Sequence, residues 1–305
     1  CHQLVQESTE AKLGKTMLSR YAFSHALFQV YLYGALPTRE RRMLHEEVAN
    51  ALEEIYAGQT ETIAVQLAYH YTEARENEKA ATYLQLAGEQ AFKLSEFTQA
   101  RVFFNQALAG IEPDDSDFSD LKRAQLLRFV GQTYYEIGCW DISETYYRQS
   151  IEVNRKLGND EALAQGLIGL AHNLRRRRLS EDAMLSIQEA LDIARRTGNR
   201  RQECSALRCK GIIYGLIDRT DERLSCYEQA LKIAFEIGDH VEETDCLNSL
   251  GIVSGLLGNY KKNIEYYERA LKLAFLHHNI NEQRLYAANL VIHRRVGNYK
   301  KARFY

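Results

Sequence analysis

A forty-residue period constrains this chain more than any other feature. The pairs Ser150-Ile151, Ala190-Leu191, Ala230-Leu231 and Ala270-Leu271 recur at intervals of 40. Gly158, Gly198 and Gly238 keep the same interval, with His278 where a fourth glycine would stand. Leu127, Leu167, Leu207 and Leu247 make a third column, and Gly131, Ala171, Gly211 and Gly251 a fourth. Self-similarity of this kind marks an architecture of stacked units, in which each unit buries its apolar faces only against its neighbours.

Each unit reads as two amphipathic helices. In the second full unit the spacing predicts helix A over about Glu161–Arg177 and helix B over about Glu181–Thr197, with apolar residues three and four apart. The small residue in mid-helix A lets its partner helix approach closely. The glycine closing helix B supplies a left-handed cap, followed by Asn or Asp in three of the four units. Only 2 prolines and 18 glycines occur in 305 residues, which favours long helices over a sandwich or barrel. Nineteen tyrosines accompany a single tryptophan, and several of them fall on repeat columns: Tyr134, Tyr147, Tyr214, Tyr227 and Tyr267.

The pattern resembles the tetratricopeptide repeat: a leucine, then Leu-Gly and Tyr in helix A, then Ala, an aromatic and Ala in helix B. One unit gives Leu127, Val130-Gly131, Tyr134, Ser143, Tyr147 and Ser150; the third gives Leu207, Lys210-Gly211, Tyr214, Arg223, Tyr227 and Ala230. Lys210, Arg223 and Asn263 depart from apolar or small columns, and a closing proline is missing. A period of 40 instead of 34 implies helices longer by nearly a turn each. The resemblance implies an all-α, right-handed solenoid of helix pairs over residues 120–305, the last pair incomplete, with shorter hairpins over 59–112 and an acidic loop at 113–119. Because the sequence stops within a helix B, the natural protein is expected to continue.

The N-terminal segment does not fit the repeat. Phe23, His25, Arg39, Arg41, Arg42, Leu44 and His45 follow a different order: a short strand with Phe-x-His, a helix, a loop, an Arg-rich turn and Leu-His. This resembles the end of the winged-helix region in bacterial signal-transduction ATPases of the STAND class, where a helical-repeat sensor follows. On that resemblance residues 1–58 are the C-terminal part of a winged-helix-like segment. It also implies an upstream nucleotide-binding domain that the repeats contact within one polypeptide. ATP or ADP would then be a ligand of the full-length protein, with His25 in the position that senses it. The plainer reading of His25 is a histidine hydrogen-bonded at a strand–helix junction. For the residues in hand no cofactor is expected.

No catalytic constellation emerges. Gly14-Lys15-Thr16 lacks the glycine a phosphate loop needs five residues earlier, where Thr9 stands. The nine histidines show no HExxH spacing, and no GxSxG elbow occurs. Six cysteines are scattered without a CxxC pair, as buried thiols in a reducing, cytoplasmic setting would be. No apolar run reaches 18 residues, so no membrane partner is expected. The balance of 39 Lys+Arg against 41 Asp+Glu argues against broad nucleic-acid binding. Arg175-Arg176-Arg177-Arg178 reads as a solvated helix end, with an anionic partner as the sharper alternative.

What remains is a non-catalytic binding surface for a protein, peptide or small ligand. The concave side of stacked helix pairs is lined by helices A. Its columns hold Arg128, Ile168, Arg208 and Asn248, then Gln132, His172, Ile212 and Ile252, then Tyr135, Arg175, Gly215 and Gly255. The expected partner-binding groove is therefore Arg128, Gln132, Tyr135, His172, Arg175, Arg208 and Asn248. Polar groups gather towards the first units and apolar ones towards the later units, which suits an extended peptide with an acidic and an apolar end. Two settings fit such a groove: the sensor half of a signalling ATPase, or a free-standing scaffold that assembles other proteins.

Overall fold

The computed structural model describes residues 5–13, 16–111 and 117–276. Over these residues the chain forms thirteen α-helices, one 3-10 turn and one β-hairpin. It divides into two compact units, Cys1–Ser119 and Asp120–Tyr305. Residues 277–305, which hold His277, His278 and the expected final half-repeat, lie outside the described residues.

The first unit opens with an antiparallel hairpin of β1 (Val5–Leu13) and β2 (Thr16–Phe23), its register running from Val5 opposite Phe23 to Leu13 opposite Thr16. Four helices follow the hairpin before the 3-10 turn and after it: α1 (Ala26–Ala35), α2 (Thr38–Ile55), α3 (Ala64–Ala74) and α4 (Asn77–Lys93), then α5 (Phe97–Gly110) closes the unit. The 3-10 turn, Thr60–Ile63, joins α2 to α3. A small core of Ala49, Ile63, Leu67, Tyr71 and Ala80 ties α2, α3 and α4 together. Gly88 of α4 admits the ring of Phe104 from α5: an added Cβ would lie 2.5 Å from Cε1.

The Arg-rich turn expected near residue 40 is instead the opening of α2. Pro37 occupies the N-cap with its φ of −58°, and Arg39, Arg41 and Arg42 lie in the first turns of the helix itself. Proline fixes the entry angle, and arginine is a good helix former once the helix has begun.

The second unit is a stack of hairpins: α6 (Asp117–Ile137) with α7 (Trp140–Lys156), α8 (Asp160–Arg176) with α9 (Ser180–Thr197), α10 (Arg200–Leu216) with α11 (Thr220–Ile237), and α12 (His240–Leu256) with α13 (Tyr260–Leu276). Successive hairpins meet through α7–α8, α9–α10 and α11–α12, and A helices touch each other through α8–α10 and α10–α12. One continuous core runs through the stack, from Tyr147 through Leu167, Leu174, Ile187 and Leu207 to Cys246.

The turns explain the regular period. Gly158, Gly198 and Gly238 have φ of 65°, 71° and 66°, closing each B helix in the left-handed conformation. The next residue caps the following helix: Asn159, Asn199 and Asp239 accept hydrogen bonds from the amides of Ala162, Gln202 and Glu242 at 3.2, 3.1 and 3.2 Å. A second left-handed column closes each A helix at residues 138, 178, 218 and 258, occupied by Gly, Arg, Asp and Gly with φ of 87°, 60°, 56° and 74°.

The departures from the repeat pattern find local partners. Ser143 and Asn263, in one column, donate to the carbonyls of Gly131 and Gly251 at 2.7 and 2.5 Å. Lys210 donates to Gln188 at 2.7 Å, and Arg223 covers Gly215 with its guanidinium over the ring of Tyr227.

Candidate functional site

The A helices of the second unit place one stripe of side chains per turn on a common concave side. Residues 128, 132 and 135 of α6 and residues 168, 172 and 175 of α8 follow the same i, i+4, i+7 spacing, and the stripe of α10 through Ser205, Arg208 and Ile212 follows i, i+3, i+7. Together they line an open pocket of about 570 Å³, to which α12 contributes Glu242. Arg128, Gln132, Tyr135, His172, Arg175 and Arg208 all line it. Asn248 does not: α12 reaches the pocket through Glu242, and Asn248 sits a turn and a half further along that helix.

The arginines of this stripe differ in what they hold. Arg208 Nε donates to Glu242 at 3.0 Å, and its Nη1 lies 3.6 Å from Asp245. Burial alone would lower its pKa, but Glu242 and Asp245 outweigh that and hold it above the ordinary range. Arg201 pairs with Asp239 at 2.9 Å. Arg128 has its guanidinium 4.3 Å from the ring centroid of Phe129. Arg175 makes no side-chain hydrogen bond or ion pair among the described residues, and its Nε is shielded from solvent without a partner.

The four-arginine run thus divides. Arg176 donates to Tyr135 Oη at 3.1 Å, and Arg177 bridges Asp141, at 2.7 Å, and Glu144. Arg178 is exposed in the second left-handed column. The run is not one solvated face: only Arg175 points its charge into the pocket.

His172 sits 3.8 Å from Cys209 Sγ. Burial, reinforced by Arg175, Arg208 and Arg176, drops its pKa to about 3. Burial pushes the Cys209 thiol up to about 12 against the opposing pull of Arg175 and Arg208. Both groups are therefore neutral at pH 7, the opposite of a thiolate–imidazolium nucleophile. No three His, Cys, Asp or Glu side chains converge as a metal site among the described residues. In the first unit His25 is the N-cap of α1, its Nδ1 accepting from the Leu27 amide at 3.1 Å.

Glu242 and the burial-raised carboxyl of Glu136 line the pocket, and Asp245 lies beside its Arg208; the repeat columns did not single out any of the three. A signal existed. Opposite charges recur 34 to 38 residues apart: Arg155–Glu189, Arg200–Glu236, Arg201–Asp239 and Arg208–Glu242. That separation joins one unit to the next.

Residues 202–274 match the tetratricopeptide repeat family model. The fold is a TPR-like helical solenoid. Among solved structures, the chain is similar to a Rap protein complexed with Competence and Sporulation Factor, at 16% identity and a TM-score of 0.62 over 91% of this chain and 93% of that one. It is similar to a Signal Transduction ATPase with Numerous Domains (STAND) protein with a tetratricopeptide repeat sensor from Pyrococcus horikoshii, at 19% identity and 0.61. That match covers 89% of this chain and 40% of the other. BtubC (BKLC) from P. vanneervenii aligns at 18% identity and 0.57, over 73% of this chain and 89% of that one. At these identities the likeness is one of fold. No curated protein matches the sequence. No helix among the described residues is long and apolar enough to cross a membrane.

Proposed function

We propose that the second unit is a non-catalytic receptor for an extended peptide or a partner-protein segment, held in the pocket between α6, α8 and α10. One observation carries this reading: six side chains from three repeats, Arg128, Gln132, Tyr135, His172, Arg175 and Arg208, converge on a single pocket of about 570 Å³. A pocket of that size with a few convergent polar groups is the ordinary form of a ligand site. The similarity to a Rap protein complexed with a factor supports a peptide-sized ligand. Panning the immobilised chain with a random heptapeptide phage library tests it. A pool enriched on the chain and lost on Ser205→Trp, which fills the pocket, is expected; a pool indifferent to that substitution refutes the groove.

We further infer that the chain is the cytoplasmic sensor half of a multidomain signalling ATPase. The strand, helix, helix order of β2, α1 and α2 ahead of the repeats supports this, as does the fold shared with a STAND protein's repeat sensor. In such a protein His25 would approach bound nucleotide and ligand capture by the repeats would release the switch. Reading the coding sequence ahead of Cys1 decides between this and a free-standing scaffold: absence of a P-loop domain there leaves the scaffold.

A further inference from the structure

We propose that Arg175 is the carboxylate anchor of the groove, and that Glu242 and Asp245 hold Arg208 back from serving as a second one. The ligand would then present one acidic group to this pocket instead of two. The inference rests on the peptide reading above and adds which chemistry the pocket selects.

The pocket carries four cations, Arg128, Arg175, Arg201 and Arg208, against two acids, Glu136 and Glu242. Two of the cations are already engaged by carboxylates of the neighbouring repeat: Arg208 by Glu242 and Asp245, and Arg201 by Asp239. Arg175 is different. Its Nε is shielded from water and unpartnered among the described residues, as are those of Arg41 and Arg223, but of these three only Arg175 lines the pocket. A group that restores its hydrogen bonds must accept from two N–H groups side by side, which a carboxylate does in fork geometry. Gln132 and Tyr135 of α6 line the same pocket with neutral groups able to donate to the same oxygens.

His172, one turn before Arg175 on the same helix, adds no charge because it is neutral above about pH 3. Glu136 limits the size of the positive region. Arg208 meanwhile is held by two carboxylates that copy the ligand it would otherwise seek. An acid approaching Arg208 must displace Glu242, whereas one approaching Arg175 has no carboxylate to displace.

Sequencing the heptapeptide pools selected on the full chain tests this. The expected pool has Asp or Glu strongly enriched at one position. Arg175→Gln should reduce retention of that pool about tenfold, the loss of one charge-assisted contact, while Arg178→Gln, at an exposed arginine of the same run outside the pocket, should leave it within about twofold. The pair Glu242→Gln with Asp245→Asn should give a pool with two acidic positions, since Arg208 is released. Circular dichroism of each variant guards against loss of the fold, and Arg175→Lys, which keeps the charge without the fork, should recover part of the retention. A groove-dependent pool with no acidic position, or one indifferent to Arg175→Gln, overturns the anchor and leaves the peptide reading standing. No groove-dependent pool at all overturns both.

Discussion

The ring of Tyr227 lies directly over Gly211, so close that a Cβ on the glycine would fall 2.5 Å from Cε1 and 2.8 Å from Cδ1. The same pairing of helix B tyrosine with helix A glycine joins Tyr147 to Gly131 and Tyr267 to Gly251. In the remaining unit the tyrosine is Ile187 and the glycine is Ala171, both fully buried. The two columns thus trade volume: a larger wedge on one helix demands the smallest residue on its partner.

Gly211→Ala should therefore destabilise the second unit by about 1–2 kcal/mol, because overpacking against an immobile buried ring exceeds the gain in helix propensity. Adding Tyr227→Ile should recover part of that loss, since the pair then matches Ala171 and Ile187. Urea unfolding of the two single variants and the double variant checks this. Additive losses would show that the columns do not trade volume.

Arg178 has a φ of 60° at a turn where two of the four units carry glycine. A side chain in the left-handed region is strained, and Arg178 is exposed, so its removal costs no packing. Arg178→Gly should raise stability by about 0.5–1 kcal/mol, after allowing for the glycine's freedom in the unfolded chain. A lowered melting temperature would contradict the assignment of strain.

Much of this was legible in the sequence because a repeat writes each structural role several times. The leucine, glycine and tyrosine columns and the caps at Gly158, Gly198 and Gly238 each show themselves by recurrence. Adding one position to those columns gives Arg128, Gln132, Tyr135, Ile168, His172, Arg175, Arg208 and Ile212, all of which line the pocket. Asn248 is outside that pocket, which α12 lines through Glu242, the partner of Arg208, and no column records an ion pair between units. The left-handed turn at residues 138, 178, 218 and 258 was hidden because Arg and Asp occupy two of its four places. The split of the four-arginine run was likewise invisible: adjacent residues on a helix point about 100° apart, and their partners, Tyr135, Asp141 and Glu144, lie more than 30 residues away.

Cysteine reactivity should follow burial. Cys204, Cys209, Cys226 and Cys246 are all buried; burial raises the thiol pKa of Cys209 and Cys226, and the hydrogen bond with Cys204, with burial after it, raises that of Cys246. Cys139, only partly buried, is the accessible thiol of the second unit. Iodoacetamide at pH 8 followed by peptide mass spectrometry should find Cys139 modified and these four protected until urea is added. Rapid native labelling of Cys209 would mean that the groove opens far more than its packing implies.

His172 sets a pH dependence of known sign. In the fold it stays neutral down to about pH 3, while in the unfolded chain it protonates near 6.5. Between those values the unfolded state binds one more proton, so stability is full above about pH 6.5 and is lost as pH falls. The slope for one such group is about 1.4 kcal/mol per pH unit. His172→Gln removes that proton and leaves every carboxylate in place, so the difference between the two proteins isolates the histidine. Urea midpoints at pH 7, 6 and 5 should fall more steeply for the native sequence than for the variant. Parallel slopes would show that the imidazole protonates in the folded state, and that the arginine-rich pocket does not keep it neutral.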